Sequence, residues 1–168
     1  NKSTFEKLNL PFTNFICLGL RVDYKNEKKR NIDLDHLETL VLKIIKKFPN
    51  KKIIITCDVH GTQKIKNKLK NYNEIYFSKD FTQNFYEDGV IILNSDHYIQ
   101  FFGSGISIFA EHSQISYDIY ADFRHGFNSP HIIRSSFFCY DKNLMLPWQV
   151  ANQRNIHVIN IKDINNLL

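Results

Sequence analysis

The chain has 168 residues, of which 43% are hydrophobic and 14% aromatic, and carries a formal net charge of +5. That describes one globular domain, or one half of a two-domain enzyme, and excludes a disordered chain. No stretch approaches the ~18 consecutive apolar residues of a membrane helix. The start, Asn1-Lys2-Ser3-Thr4-Phe5, has no apolar signal core, and the absence of an initial Met suggests a piece cut from a longer chain. Cys17, Cys57 and Cys139 form no C-x-x-C pair, which argues against zinc and against a disulfide framework. A cytoplasmic setting is expected, with or without a peripheral membrane contact. The positive charge sits in two clusters, Lys25 to Arg30 and Lys64, Lys66, Lys68 and Lys70. Because the second is spaced by two it spreads around a helix, so a solvated surface is expected and not a nucleic-acid partner.

Taken in order, Phe15 to Val22 (FICLGLRV) is an apolar run of strand length, followed by a polar loop. Asp33 can cap a helix over Leu34 to Phe48, with Leu37, Leu40, Val41, Ile44, Ile45 and Phe48 at helical spacing and an Ile32–Leu37 staple. Lys52 to Thr56 (KIIIT) has the pattern of a strand buried on both faces. A helix over Thr62 to Tyr72 and a short strand over Glu74 to Phe77 follow. Thr82 to Asn94 suits strand or helix; helix is expected because another strand follows at once and parallel strands need a crossover. His97 to Phe102 reads as a strand opening through Gly103-Ser104-Gly105 into an apolar helix, Ile106 to Glu111. Ser116 to Tyr120 makes a fifth strand, Ala121 to Pro147 a long surface loop, Ile156 to Ile161 a last strand and Asp163 to Leu168 a terminal helix.

Alternating strands and helices predict an α/β fold: a doubly wound, Rossmann-like parallel sheet in a single domain spanning 1–168. Ligands of such sheets bind beyond the carboxyl ends of the strands. Arg21, Lys25 and Arg30 are placed to bring positive charge there, and the planar fork of arginine suits phosphate. Gly103, Ser104, Gly105 and Ser107 offer backbone N–H groups and hydroxyls at a helix start, where the helix dipole favours an anion. Asp58, His60 and Asp122 follow other strands and are candidates for nucleoside or sugar hydroxyls. Two bland readings stand beside these: Asp58 caps the next helix, or it pairs with Arg21.

Other chemistries fit less well. Neither G-x-G-x-x-G after the first strand nor G-x-x-x-x-G-K-[ST] occurs, and there is no H-E-x-x-H or G-x-S-x-G. Cys57 and His60 lie close together but have no visible third partner, so Cys57 is expected to be a buried structural cysteine.

The order LGLRVDYKNEKKRN, IIITCDVHG, YIQFFGSGISIFAEHS, SYDIY resembles the carboxyl-terminal, donor-binding half of GT-B-fold glycosyltransferases, and is most similar to their fucosyltransferase-like branch. The resemblance spans Phe15 to Tyr120. It implies a donor half that transfers sugar from a nucleotide-diphosphate sugar to a glycan hydroxyl, in glycan or cell-surface polysaccharide synthesis, without cofactor or metal. An amino-terminal domain would then supply the acceptor site. Arg21 matches the family's diphosphate-binding arginine, and Gly103, Ser104, Gly105 and Ser107 match its diphosphate turn. Asp58 matches the acidic strand end near the nucleoside. One departure is Val22, where the family carries a second basic residue, so Lys25 or Arg30 has to substitute. The alternative is a non-catalytic Rossmann-like module that binds a nucleotide or a protein.

Overall fold

In the computed structural model of the chain, the described residues are 2–22, 34–101, 105–122 and 154–159. Their elements are α1 (Lys2–Lys7), β1 (Phe15–Gly19), α2 (Leu34–Lys47), β2 (Lys52–Thr56), α3 (Val59–Leu69), β3 (Ile75–Phe77), α4 (Phe85–Leu93), β4 (His97–Phe101), α5 (Ile108–Glu111), β5 (Tyr117–Asp122) and β6 (Arg154–Ile159). Short 3-10 turns, Ser78–Asp80 and Gly105–Ser107, follow β3 and precede α5.

The six strands form one sheet in the order β3-β2-β1-β4-β5-β6, and every neighbouring pair is parallel. This is a doubly wound, Rossmann-like α/β fold. Side chains alternate between the two faces with the period of a strand. From β1, Ile16 and Leu18 join Leu37, Leu40, Val41 and Ile44 of α2 and Ile65 and Leu69 of α3. Phe15 and Cys17 point the other way, into a core with Val90, Ile91 and Ile92 of α4 and Ala110 of α5. Both faces are therefore covered, which is why β1 and β2 are almost wholly apolar.

Helix starts follow local capping. Asp58 accepts the Gly61 N–H at 2.7 Å, so α3 begins at Val59, three residues before the expected Thr62. Asn84 accepts the Glu87 N–H at 3.0 Å, and Glu87 reaches back to the Gln83 N–H at 2.7 Å. That reciprocal cap resolves the ambiguous segment as helix. Gly89 costs α4 some propensity, but the Phe109 ring lies on it: a Cβ there would come within 2.4 Å of Phe109 Cζ.

The structure differs from expectation at several ends. β1 stops at Gly19 instead of Val22, while β5 runs on to Asp122 and takes Ala121 and Asp122 from the expected loop. β6 begins at Arg154, two residues early. α1 was not anticipated, because six residues with one large apolar side chain carry little periodicity; Phe5 holds it by stacking on Phe15, with ring centroids 6.2 Å apart. Asp33, Ile32, 123–153 and 160–168 lie outside the described residues.

Candidate functional site

The strand order reverses between β1 and β4. Connections from β1 proceed outward through β2 to β3, and those from β4 proceed the opposite way through β5 to β6. In doubly wound sheets generally, the connections on either side of such a reversal run in opposite directions, and ligands bind in the crevice outside the carboxyl ends of the two strands. Gly19 pairs with Gln100, so β1 and β4 end level with each other on that edge.

Four neighbouring strands bring the described candidates to one rim. In spatial order these are Asp58 and His60 after β2, Arg21 two residues past β1, Gly105 and Ser107 after β4, and Asp122 as the last residue of β5. At about 4.8 Å per strand, the row from β2 to β5 spans ~14 Å. Arg21 is half-buried between buried Leu20 and Val22. Gly105 is exposed, with open space where a side chain would stand. Asp58 is engaged as the cap of α3, the bland alternative for that residue. His60 is exposed in the first turn of α3. Lys25, Arg30, Gly103 and Ser104 lie outside the described residues.

Two expectations change. The Ser107 side chain is buried and its hydroxyl donates to Glu111 Oε1 at 2.5 Å, so its proton is committed inward and not to the rim. The helix expected over Ile106 to Glu111 is a 3-10 turn plus a single α-turn, Ile108–Glu111. So few aligned peptides sum to a small dipole.

Beneath the rim lies a buried polar layer that sequence reasoning missed. Gln100, with no exposed surface, donates through Nε2 to the Phe101 carbonyl at 2.9 Å and to the Gly19 carbonyl at 3.2 Å. The Tyr98 hydroxyl donates to Gln100 Oε1. A lone Gln inside the aromatic run YIQFF, facing a Gly inside an apolar strand, was the available signal. At the end of β3, Lys79 pairs with buried Asp88, whose other oxygen accepts from Thr82 Oγ1 at 2.6 Å. The Ser78 hydroxyl is buried there without a hydrogen-bond partner.

Burial also sets the titration of these groups. It pushes the Cys57 thiol up to about 12, with the neighbouring Asp58 charge adding to the effect. Cys57 is therefore a protonated thiol at neutral pH, as expected of a structural cysteine. Desolvation raises the Glu111 carboxyl above the ordinary glutamate range, partly opposed by the Ser107 hydrogen bond. A raised value means that the folded state holds its proton more tightly than the unfolded one. The resulting stabilisation is complete below the ordinary glutamate range and is lost as pH climbs through the raised value. Glu111→Gln should therefore be more stable than the parent at pH 7.5 and level with it near pH 4. Thermal melts of both proteins across that range check this.

No group of three or more His, Cys, Asp or Glu among the described residues is arranged to hold a metal ion. A depression of about 410 Å³, lined by Leu93, Ser95, Asp96, Ser113, Gln114, Ile115 and Ser116, lies at the amino edge, opposite the crevice.

No family model matches the sequence, and no curated protein matches it. Among solved structures, the chain is similar to the UDP-GlcNAc 2-epimerase of Methanocaldococcus jannaschii, determined in complex with UDP-GlcNAc and UDP, with a TM-score of 0.58 and 14% identity. The fold is GT-B-like. The match covers 99% of this chain but 40% of the epimerase, so the chain spans less than half of that protein's length. The likeness reaches the GT-B-like fold and does not extend to the fucosyltransferase-like branch. No helix among the described residues is long and apolar enough to cross a membrane.

Proposed function

We propose that this domain binds the diphosphate of a nucleotide-diphosphate sugar across the β1/β4 crevice. In this reading it serves as the donor-binding part of a glycosyltransferase, fucosyltransferase-like in its motifs, acting on a glycan hydroxyl. The observation that carries the reading is positional: Arg21 and Gly105 leave adjacent, level strands at the point where the sheet reverses. An arginine fork suits a diphosphate, and the open space around Gly105 leaves room for close approach of backbone to ligand. By their place in the sequence, Lys25 and Arg30 would add charge and Gly103 and Ser104 would add backbone and hydroxyl donors.

Transfer would proceed by loss of the nucleoside diphosphate from the anomeric carbon as the acceptor hydroxyl attacks and gives its proton to a general base supplied with the acceptor. Arg21 stabilises the charge that develops on the leaving group without a metal. Asp58 and His60 after β2 and Asp122 at the end of β5 are the residues we propose for nucleoside and sugar hydroxyls. An amino-terminal domain would bring the acceptor, and a cytoplasmic setting goes with the reading. The likeness to a protein solved with UDP-GlcNAc and UDP supports a nucleotide-sugar ligand and makes uridine nucleotides the first to try. It also favours a second reading, sugar epimerisation, in which the same diphosphate site is used and no acceptor is consumed.

A thermal-shift panel of UDP, GDP, ADP and CMP tests the binding step. One diphosphate should stabilise the domain, and Arg21→Ala should remove that shift in a variant that still unfolds in one cooperative transition. No response to any of the four would contradict the proposal.

A further inference from the structure

We propose that Gln100 is a positioning residue: it ties together the two backbone exits that form the crevice, and thereby sets the geometry in which a diphosphate is held. The inference rests on the reading of that crevice as the ligand site, but the contacts behind it are independent of any ligand.

An amide with no exposed surface is costly in a strand unless its hydrogen bonds are made. Those of Gln100 go to particular places. Its Nε2 donates to the carbonyl of Gly19, the last residue of β1, and to that of Phe101, the last residue of β4. These are the two strands that flank the reversal, at the positions after which Arg21 follows on one side and Gly105 on the other. Tyr98, also fully buried, donates its hydroxyl to Oε1 and so fixes which end of the amide faces the carbonyls. Gly19 makes the arrangement possible, since a Cβ there would stand 2.2 Å from Gln100 Oε1 and 2.4 Å from the Tyr98 hydroxyl. Three residues on two strands are thus fitted to one another directly below the rim. An apolar side chain at 100 would fill the same space without tying the two exits.

The test uses the whole chain in three forms: the parent, Gln100→Met, which keeps length and burial, and Tyr98→Phe, which removes only the hydroxyl that orients the amide. UDP affinity is measured by calorimetry, and amide hydrogen exchange is followed in parallel. Both variants should weaken UDP binding, Gln100→Met by tenfold or more. Exchange should accelerate at 19–22 and 105–107 while β2 and α2 keep the parent's protection. Unchanged rim exchange overturns the inference, as does exchange that rises evenly over β1, β2 and β4, the signature of simple destabilisation. Rim loosening with unaltered affinity for UDP overturns it too. Should the parent itself fail to bind UDP, the nucleotide reading fails separately, and the exchange pattern alone decides whether Gln100 ties the exits.

Discussion

Gly19→Ala is expected to destabilise the domain by ~3 kcal/mol, at the upper end of what overpacking a core costs. The methyl group would enter a space already taken by Gln100 Oε1 at 2.2 Å and the Tyr98 hydroxyl at 2.4 Å. Neither can swing away cheaply. Both side chains are fully buried, and Gln100 is held by the carbonyls of Gly19 and Phe101. Displacing the amide leaves buried donors and acceptors unpaired, a penalty additional to the steric one. Urea denaturation should show a lower midpoint with little change in slope. A loss below ~0.5 kcal/mol would mean that the network is loose, and would weaken the case for Gln100 as well.

Asp88→Ala is expected to cost ~3 kcal/mol, in the range for removing one partner of a buried ion pair. Asp88 is 3% exposed and serves two donors, Lys79 and Thr82 Oγ1. Its loss strands a lysine ammonium that is itself largely covered, and frees a hydroxyl that joins the turn after β3 to α4. Asp88→Asn should recover part of the loss, since an amide oxygen can still accept from Thr82 but carries no charge for Lys79. Chemical denaturation of the two variants separates the electrostatic share from the hydrogen-bond share. Equal stability of Ala and Asn variants would assign the whole effect to charge.

The sheet was legible in the sequence because its strands are unusually explicit. KIIIT and HYIQF have no competing reading once parallel crossovers are required, and α2 carries a full set of apolar residues at helical spacing. Ends were less legible. Capping by Asp58 moved α3 back by one turn, a choice made by a single side-chain hydrogen bond and not by periodicity. The helix α1 depends on Phe5 finding Phe15, a contact between separate segments that no local pattern announces. At the site, the sequence indicated which positions follow the strands, and parallel pairing places them on one edge. It did not indicate that Ser107 turns inward to Glu111, because that depends on how deeply a four-residue helix sinks against Tyr98 and its neighbours. The role of Gln100 is not legible in the sequence, because strand patterning reports burial, whereas the function inferred for it comes from the carbonyls it reaches.

The most direct measurement of the central claim is a crystal structure of the chain with bound UDP. A diphosphate is expected at the carboxyl edge between β1 and β4, with the Arg21 guanidinium and the Gly105 backbone N–H each about 3 Å from phosphate oxygens. A nucleotide found instead in the amino-edge depression beside Ser95 and Ser113, or at the carboxyl edge with Arg21 turned away from it, would contradict the claim.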